Sequence, residues 1–308
     1  MIELFNINNF IIDTSKFSNL LHDPVVEKFE NQIAKYVGAK YAVSFNSATS
    51  AIFLALLGER VVVDVPSIIP PVVLNAIITS GNKYRFIDNI DWVGDSYVLH
   101  EFDDYKIVDS AQKLEKRQFT TNCNDNDLML FSFYPTKPVG SCDGGMIVSN
   151  NENKISHLRE LALNGMCYAK NNWERVIKFP GYKMYMNSVQ AQIAQNNLDI
   201  YEEKIESLSK LKKMYNAGFG KSNTSDHVYR LNVKDRDTFI AMMKASGIVC
   251  GIHYLPQHIN PVYKQENEYC PKSLIEGTTT VSIPFHEKLT EEQSQFVINT
   301  VMESGLLI

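Results

Sequence analysis

The chain has 308 residues, 44% of them apolar, enough to bury a sizeable core in one large domain or a large domain plus a small one. Thirty Lys and Arg against 35 Asp and Glu give a formal net charge of −5. This excludes the basic footprint of a duplex-binding protein, so no nucleic-acid partner is expected. No apolar run reaches the ~18 residues of a membrane span, and the opening MIELFNINNF has neither the basic nor the apolar region of a signal peptide. Five cysteines, odd in number and never in a CxxC pair, read as a reduced, cytoplasmic chain without a structural metal.

In chain order, residues 25–37 (VVEKFENQIAKYV) carry apolar residues at helical spacing, and Gly38 stands where a helix C-cap would. YAVSF (41–45) is a strand. Asn46-Ser47-Ala48-Thr49 follows as a polar turn before an apolar helix over 50–57. RVVVDVP (60–66) is the near-continuous valine run of a strand buried on both faces. Pro70 and Pro71 precede another apolar helix. YRFID (84–88), SYVLHEF (96–102), YKIVD (105–109), DLMLFSF (127–133) and GGMIVS (144–149) read as strands, and 154–164 and 187–215 as helices. This alternation predicts an α/β fold with a mostly parallel sheet. Beyond about 220 the rhythm changes. Strands at 227–233, IVCGIHY and 278–286 alternate with helices at 235–247 and from Thr290, where Glu292 stands close to the cap. The spacing predicts a large domain over 1–218 and a small α+β domain over 219–308.

Three features carry candidate chemistry. Lys137 sits in FSFYPTKPVGSCDGG, on the loop after a strand, among glycines that permit close backbone approach. Its bland reading is one solvated lysine among many. Asp109 ends YKIVD, where a carboxylate is either a helix cap or the partner of a cofactor's ring nitrogen. Asn46-Ser47-Ala48-Thr49 is either a simple cap or a phosphate cradle at the positive end of a helix.

Taken together, and in order along the chain, these stretches resemble the DegT/DnrJ/EryC1/StrS family of pyridoxal-phosphate-dependent sugar aminotransferases. The resemblance rests on VEKFENQIAKYVGAKYAVSFNSATSAI, VDSAQ, FSFYPTK, GYKMYMNSVQAQIA, GIHYLPQHINPVYK and VSIPFHEKLTEEQ. It implies the aspartate-aminotransferase-like fold (fold type I). It implies that Lys137 bonds pyridoxal 5'-phosphate covalently and shuttles protons, with the pyridoxamine form as intermediate. Asp109 would meet the pyridinium nitrogen and Gln112 the ring hydroxyl. Ser47, Ala48, Thr49 and Ser132 would hold the phosphate. Lys183 stands where the family has a phosphate-binding Asn from the neighbouring subunit, which implies a homodimer with shared active sites. Tyr134, Tyr185, His253, Tyr254 and His258 would line the substrate pocket.

The chain also departs from the family. Ala48 replaces the usual Gly of the turn, Pro70 stands near the position of an aromatic that stacks on the cofactor ring, and Tyr185 replaces an Arg. The large domain is shortened between residues 88 and 109: two crossover helices flanking a strand reduce to about twenty residues, with SYVLHEF as the surviving strand. A parallel crossover needs a dozen residues or more, so an unusual local topology is expected. The resemblance implies transfer of an amino group, from L-glutamate, to C3 or C4 of a nucleotide-activated keto-deoxysugar. The competing reading is a non-catalytic or regulatory family member that binds the cofactor as a scaffold.

Overall fold

The computed structural model describes residues 1–168, 175–266 and 268–308; Trp173, expected as a packing or interface residue, lies outside them. The large part of the chain contains α1 (Val25–Val37), β1 (Tyr41–Phe45), α2 (Ala48–Ala55), β2 (Val62–Pro66), α3 (Pro71–Thr79), β3 (Lys83–Ile87), β4 (Tyr97–Glu101) and β5 (Lys106–Asp109). It continues through α4 (Gln118–Asn122), β6 (Leu128–Ser132), β7 (Gly145–Ser149), α5 (Glu152–Ala162), β8 (Met166–Tyr168), β9 (Arg175–Ile177), α6 (Ser188–Asp199) and α7 (Tyr201–Phe219). The remainder holds β10 (Tyr229–Asn232), α8 (Arg236–Ala245), α9 (Pro271–Thr279), β11 (Thr280–Ile283) and α10 (Glu291–Glu303).

Local chemistry explains many of the ends. α1 buries Val25, Phe29, Ile33 and Val37, one helical stripe, and closes on Gly38 in the left-handed region. The predicted helix over 187–215 is two helices that meet at Ile200, the first opened by a capping box between Asn187 and Gln190. A second capping box opens α10, and there Thr290 pairs with Gln293 rather than with the neighbouring Glu292.

The main sheet has the order β1-β7-β6-β5-β4. It is mixed: β5–β6 is parallel, whereas β1–β7, β6–β7 and β4–β5 are antiparallel. β2 and β3 form a separate parallel pair, with β2 packed beside β4. SYVLHEF survives as β4, as the sequence suggested, and the shortening explains its direction. Residues 88–96 are coil and turns. With no helix to carry the chain back across the sheet, β4 joins β5 as a hairpin. Phe102 N–H donates to Tyr105 O at 2.8 Å, and the two rings stack with centroids 4.5 Å apart. A reversed strand can follow a tight turn; a parallel one cannot.

The two-residue strand period sorts the sheet into faces. Ile107, Leu128, Leu130 and Ile147 pack with α2, α3 and Trp92. Val108, Met129, Phe131 and Val148 face α1 and α6. A third core joins the second half of α7 to α8, α10, β10 and β11. IVCGIHY, expected as a strand, is not one. It makes isolated bridges, Ile2 to Ile248 and Gly251 to Ser282, and the chain then turns away so that Pro256 bridges Ile68. The β8–β9 hairpin and the short helices α4 and α9 lacked a signal strong enough to be read from sequence.

Candidate active site

Sheet register assembles the site. Asp109 pairs with Leu130, Ser132 pairs with Gly145, and Gly145 pairs with Phe45. Asp109 and Ser132 share the parity of Ile107 and Leu130, so both point to the face that α2 covers. A Cβ on Gly145 would stand 2.5 Å from Ala48 N, so only glycine lets β7 reach the first turn of α2. Ser132 and the start of α2 therefore flank one spot.

At that spot the Ser47 side chain is a helix cap: its Oγ accepts from Ser50 N–H at 3.1 Å. Ala48 and Thr49 occupy the first turn, where N–H groups have no intrahelical acceptor and the helix end carries partial positive charge. Ala48 is simply helical, so the turn does not need the family's glycine.

Asp109 is 4% exposed. Its Oδ1 accepts from Ala111 N–H at 2.9 Å and its Oδ2 from Tyr97 Oη at 3.0 Å. Burial pushes its carboxyl above the usual range, opposed by those two hydrogen bonds and by the charge of Lys137. Gln112, also buried, accepts from Gly94 N–H at 2.7 Å and donates through Nε2 to Tyr254 Oη at 3.0 Å.

Lys137 is half-buried on the loop after β6, its N–H bonded to Tyr134 O at 2.9 Å. Burial lowers its ammonium to about 8, against a smaller opposing effect of Asp109. Its Nζ lies 3.5 Å from His227 Nε2. His227 is buried, stacked on Phe5 at 5.5 Å, and held well below the ordinary imidazole range, first by burial and then by the charge of Lys137. Sequence reading missed His227. Its signal was a lone histidine opening the apolar HVYRLNV, which resembles many core histidines.

The C-terminal part contributes two expected residues. Tyr254 reaches Gln112, and His253, lowered to about 4 by burial and by the charges of Lys137 and Arg230, bonds through Nδ1 to Ser282 Oγ at 2.8 Å. His258 instead anchors the 254–258 loop by bonding Ser67 behind β2. Tyr134 is exposed. Pro70 is the N-cap of α3, and the nearby buried aromatic is Trp92, whose Nε1 donates to Ile68 O at 3.1 Å and whose ring lies 6.1 Å from Tyr254, nearly parallel to it.

Lys183 and Tyr185 lie on the segment between β9 and α6. Their segment runs along the end of β1 in the same chain, with Asn46 N–H on Met184 O at 2.8 Å. Lys183 is exposed, and the basicity of nearby His22 is lowered first by burial and then by the charges of Arg175 and Lys183. Tyr185 packs on the His22 ring at 4.7 Å and lines a cleft of ≈ 330 Å³ with Glu30 and Arg159. Among the described residues, no cluster of His, Cys, Asp and Glu is arranged for a metal, and no helix is long and apolar enough to cross a membrane.

Ser132 and buried Asp109 share the sheet face at the start of α2, the weakly basic Lys137 follows on the loop after β6, and the fold is that of a pyridoxal-phosphate enzyme of fold type I. The chain belongs to the DegT/DnrJ/EryC1/StrS aminotransferase family, whose profile matches residues 6–92 and 107–302. It is 24% identical over 343 residues to the UDP-4-amino-4,6-dideoxy-N-acetyl-beta-L-altrosamine transaminase of Campylobacter jejuni serotype O:23/36, covering 90% of this chain and 88% of that one. It is 26% identical over 320 residues to the UDP-2-acetamido-2-deoxy-3-oxo-D-glucuronate aminotransferase of Pseudomonas aeruginosa, covering 86% and 87%. Both alignments exceed the chain's own 308 residues. The fold is similar to that of the aminotransferase TlmJ from Streptoalloteichus hindustanus, with a TM-score of 0.82 at 20% identity over 98% of each chain.

The residues present fit the cofactor of that family. The donor set offers an amine half-neutral at about pH 8, a buried carboxylate to oppose a protonated ring nitrogen, and a hydroxyl beside unsatisfied N–H groups for a phosphate.

Proposed function

We propose that the protein transfers an amino group from L-glutamate to a keto group, at C3 or C4, of a nucleotide-activated keto-deoxysugar used in polysaccharide, O-antigen or glycan precursor synthesis. The observation that carries this reading is Lys137: a lysine with lowered basicity, within the field of buried Asp109 and against neutral His227. The two relatives described above, one named for a 4-amino sugar and one for a 3-oxo sugar, support the substrate class and the choice of carbons.

In this reading Lys137 bonds pyridoxal phosphate covalently. Once bound, that cofactor supplies a sink for the electron pair left when a proton departs from the amino-bearing carbon. Once the amino donor has displaced it from the cofactor, the freed Lys137 Nζ would take that proton and return it, which the lowered basicity of the amine permits near neutral pH. Asp109 holds the proton on the ring nitrogen by charge, and Gln112 Nε2 orients the ring hydroxyl. Ser132 Oγ, the Thr49 hydroxyl and the N–H groups of Ala48 and Thr49 hold the phosphate. Trp92, Tyr97 and Tyr254 exclude water from the ring's surroundings. His253 and Tyr254 bring the C-terminal part of the chain to the sugar.

Assembly as a homodimer completes the site. A phosphate ester carries about two negative charges near neutral pH, and a helix end offers about half a compensating unit. Lys183, exposed on its own chain, is suited to supply the missing cation to a neighbouring copy.

The test is spectroscopic. Purified protein with pyridoxal phosphate should show a yellow absorbance band that L-glutamate bleaches and that a keto-sugar nucleotide restores, with an amino-sugar product found by mass. Colour that glutamate leaves unchanged would favour a scaffold over a transaminase, and no colour would refute the cofactor reading.

A further inference from the structure

The strand left by the shortening holds the residues that would meet the cofactor ring. Tyr97 opens β4 and is the register partner of Asp109, so antiparallel pairing sets the two side chains next to each other on one face. Tyr97 Oη takes Asp109 Oδ2 at 3.0 Å while Ala111 N–H takes Oδ1 at 2.9 Å, fixing both oxygens. Three residues earlier, Gly94 N–H fixes Gln112 Oε1 at 2.7 Å. The Tyr97 ring is held in turn by Trp92, 4.9 Å away. The family profile stops at residue 92 and resumes at 107, so Gly94 and Tyr97 lie in the stretch that this chain does not share with the family.

Resting on the reading of Asp109 as the partner of the ring nitrogen, we infer that Tyr97 is a positioning residue for pyridoxal phosphate, its phenol aiming the Asp109 carboxyl at that nitrogen. Burial alone favours the protonated carboxylic acid. The groups facing Asp109 are Tyr97 from β4, Lys137 from the loop after β6 and Tyr254 from the C-terminal part, with the Ala111 N–H beside it. Only Lys137 among them is cationic, and His227 and His253 around Lys137 are held neutral. Removing the phenol leaves one N–H and one partly neutral amine to hold the charge. Asp109 then takes up a proton at higher pH and no longer opposes a protonated ring nitrogen.

Tyr97→Phe keeps the ring against Trp92 and deletes the hydroxyl alone. Pyridoxal phosphate is titrated into wild type, Tyr97→Phe, Asp109→Asn and the double variant, with binding measured by equilibrium dialysis from pH 5 to 9. We expect Tyr97→Phe to weaken binding about tenfold at neutral pH, the scale of one hydrogen bond to a charged group, and to move the acid limb of binding to higher pH. In the Asp109→Asn background the same substitution should change neither quantity, because the charge it serves is gone. Equal losses in both backgrounds would mean that the Tyr97 hydroxyl acts independently of Asp109, and an unchanged affinity and acid limb would mean that it does nothing for Asp109; either overturns the inference. Wild-type protein that binds no pyridoxal phosphate would overturn the cofactor reading itself, and the inference with it.

Discussion

Lys137 Nζ and His227 Nε2 stand 3.5 Å apart, the lysine from the loop after β6 and the histidine from the start of the C-terminal part. One nitrogen must be the acceptor, and burial keeps the imidazole neutral to play it. The pair thus places a weakly basic amine and a neutral base side by side before any ligand arrives.

The first prediction concerns that amine. In ligand-free protein, acylation of Lys137 followed by peptide mass should show a midpoint near pH 8, where burial puts it. A midpoint at the ordinary lysine value would contradict the buried placement. The same burial costs stability. With a folded value of about 8 against 10.5 for the free side chain, the unfolded chain binds the extra proton between those limits. Wild-type stability therefore rises with pH from about 8 to 10.5. Lys137→Met should stabilise the fold by about 1–3 kcal/mol at pH 7, a gain that shrinks toward pH 10 in urea melts, while abolishing cofactor attachment.

The second concerns acid. His253 is lowered from 6.5 to about 4, and His227 is also held well below the ordinary imidazole range. Their folded forms refuse protons that the unfolded chain accepts, so stability falls as pH drops from about 6.5 toward 4. His253→Gln should remove about 2 kcal/mol of that fall, read as the difference between unfolding free energies at pH 7 and pH 4.5. An identical pH slope in the variant would reject the assignment.

Gly145→Ala is the third. The new Cβ would meet backbone of Ala48 and Ser47 at 2.5–2.6 Å, with no flexible side chain to yield. We expect a loss of about 1–3 kcal/mol from forced separation of β7 and α2, together with weaker binding of inorganic phosphate at the α2 start. Unchanged melting would show that the helix can shift freely.

The fourth tests the shared site. Lys137→Ala and Lys183→Ala should each be inactive alone, and mixing them under conditions of subunit exchange should restore activity. Mixed dimers would carry one site with both lysines. Exchange without recovery, or an active monomer in sedimentation, would reject the arrangement.

Much of this was legible from residue order. α1, β1 and Gly38 were placed to the residue because an apolar stripe, a strand run and a cap agree with one another. Lys137, Asp109, Gln112 and Ser132 were singled out through motifs, and register brings Asp109 and Ser132 to one face. The direction of β4 was not legible, because the alternation of SYVLHEF is the same read either way. His227 and Tyr97 escaped for a related reason: each is paired with its partner by the fold, and no local spacing marks such pairs. The misjudged strand at IVCGIHY shows the converse, an apolar run whose backbone partners are the chain start and a single point on β11.

The hairpin at Phe102–Tyr105 changes which end of a strand looks into the site. In a parallel sheet, the residue level with Asp109 is the last of its strand; here it is Tyr97, the first. Reversal puts the start of the strand, not its end, beside Asp109, so counting along the chain from a relative with the longer segment would name the wrong residue opposite that carboxylate. Between residues 93 and 106, where the family profile falls silent, equivalence must be assigned by position in space, with the sequence read backwards.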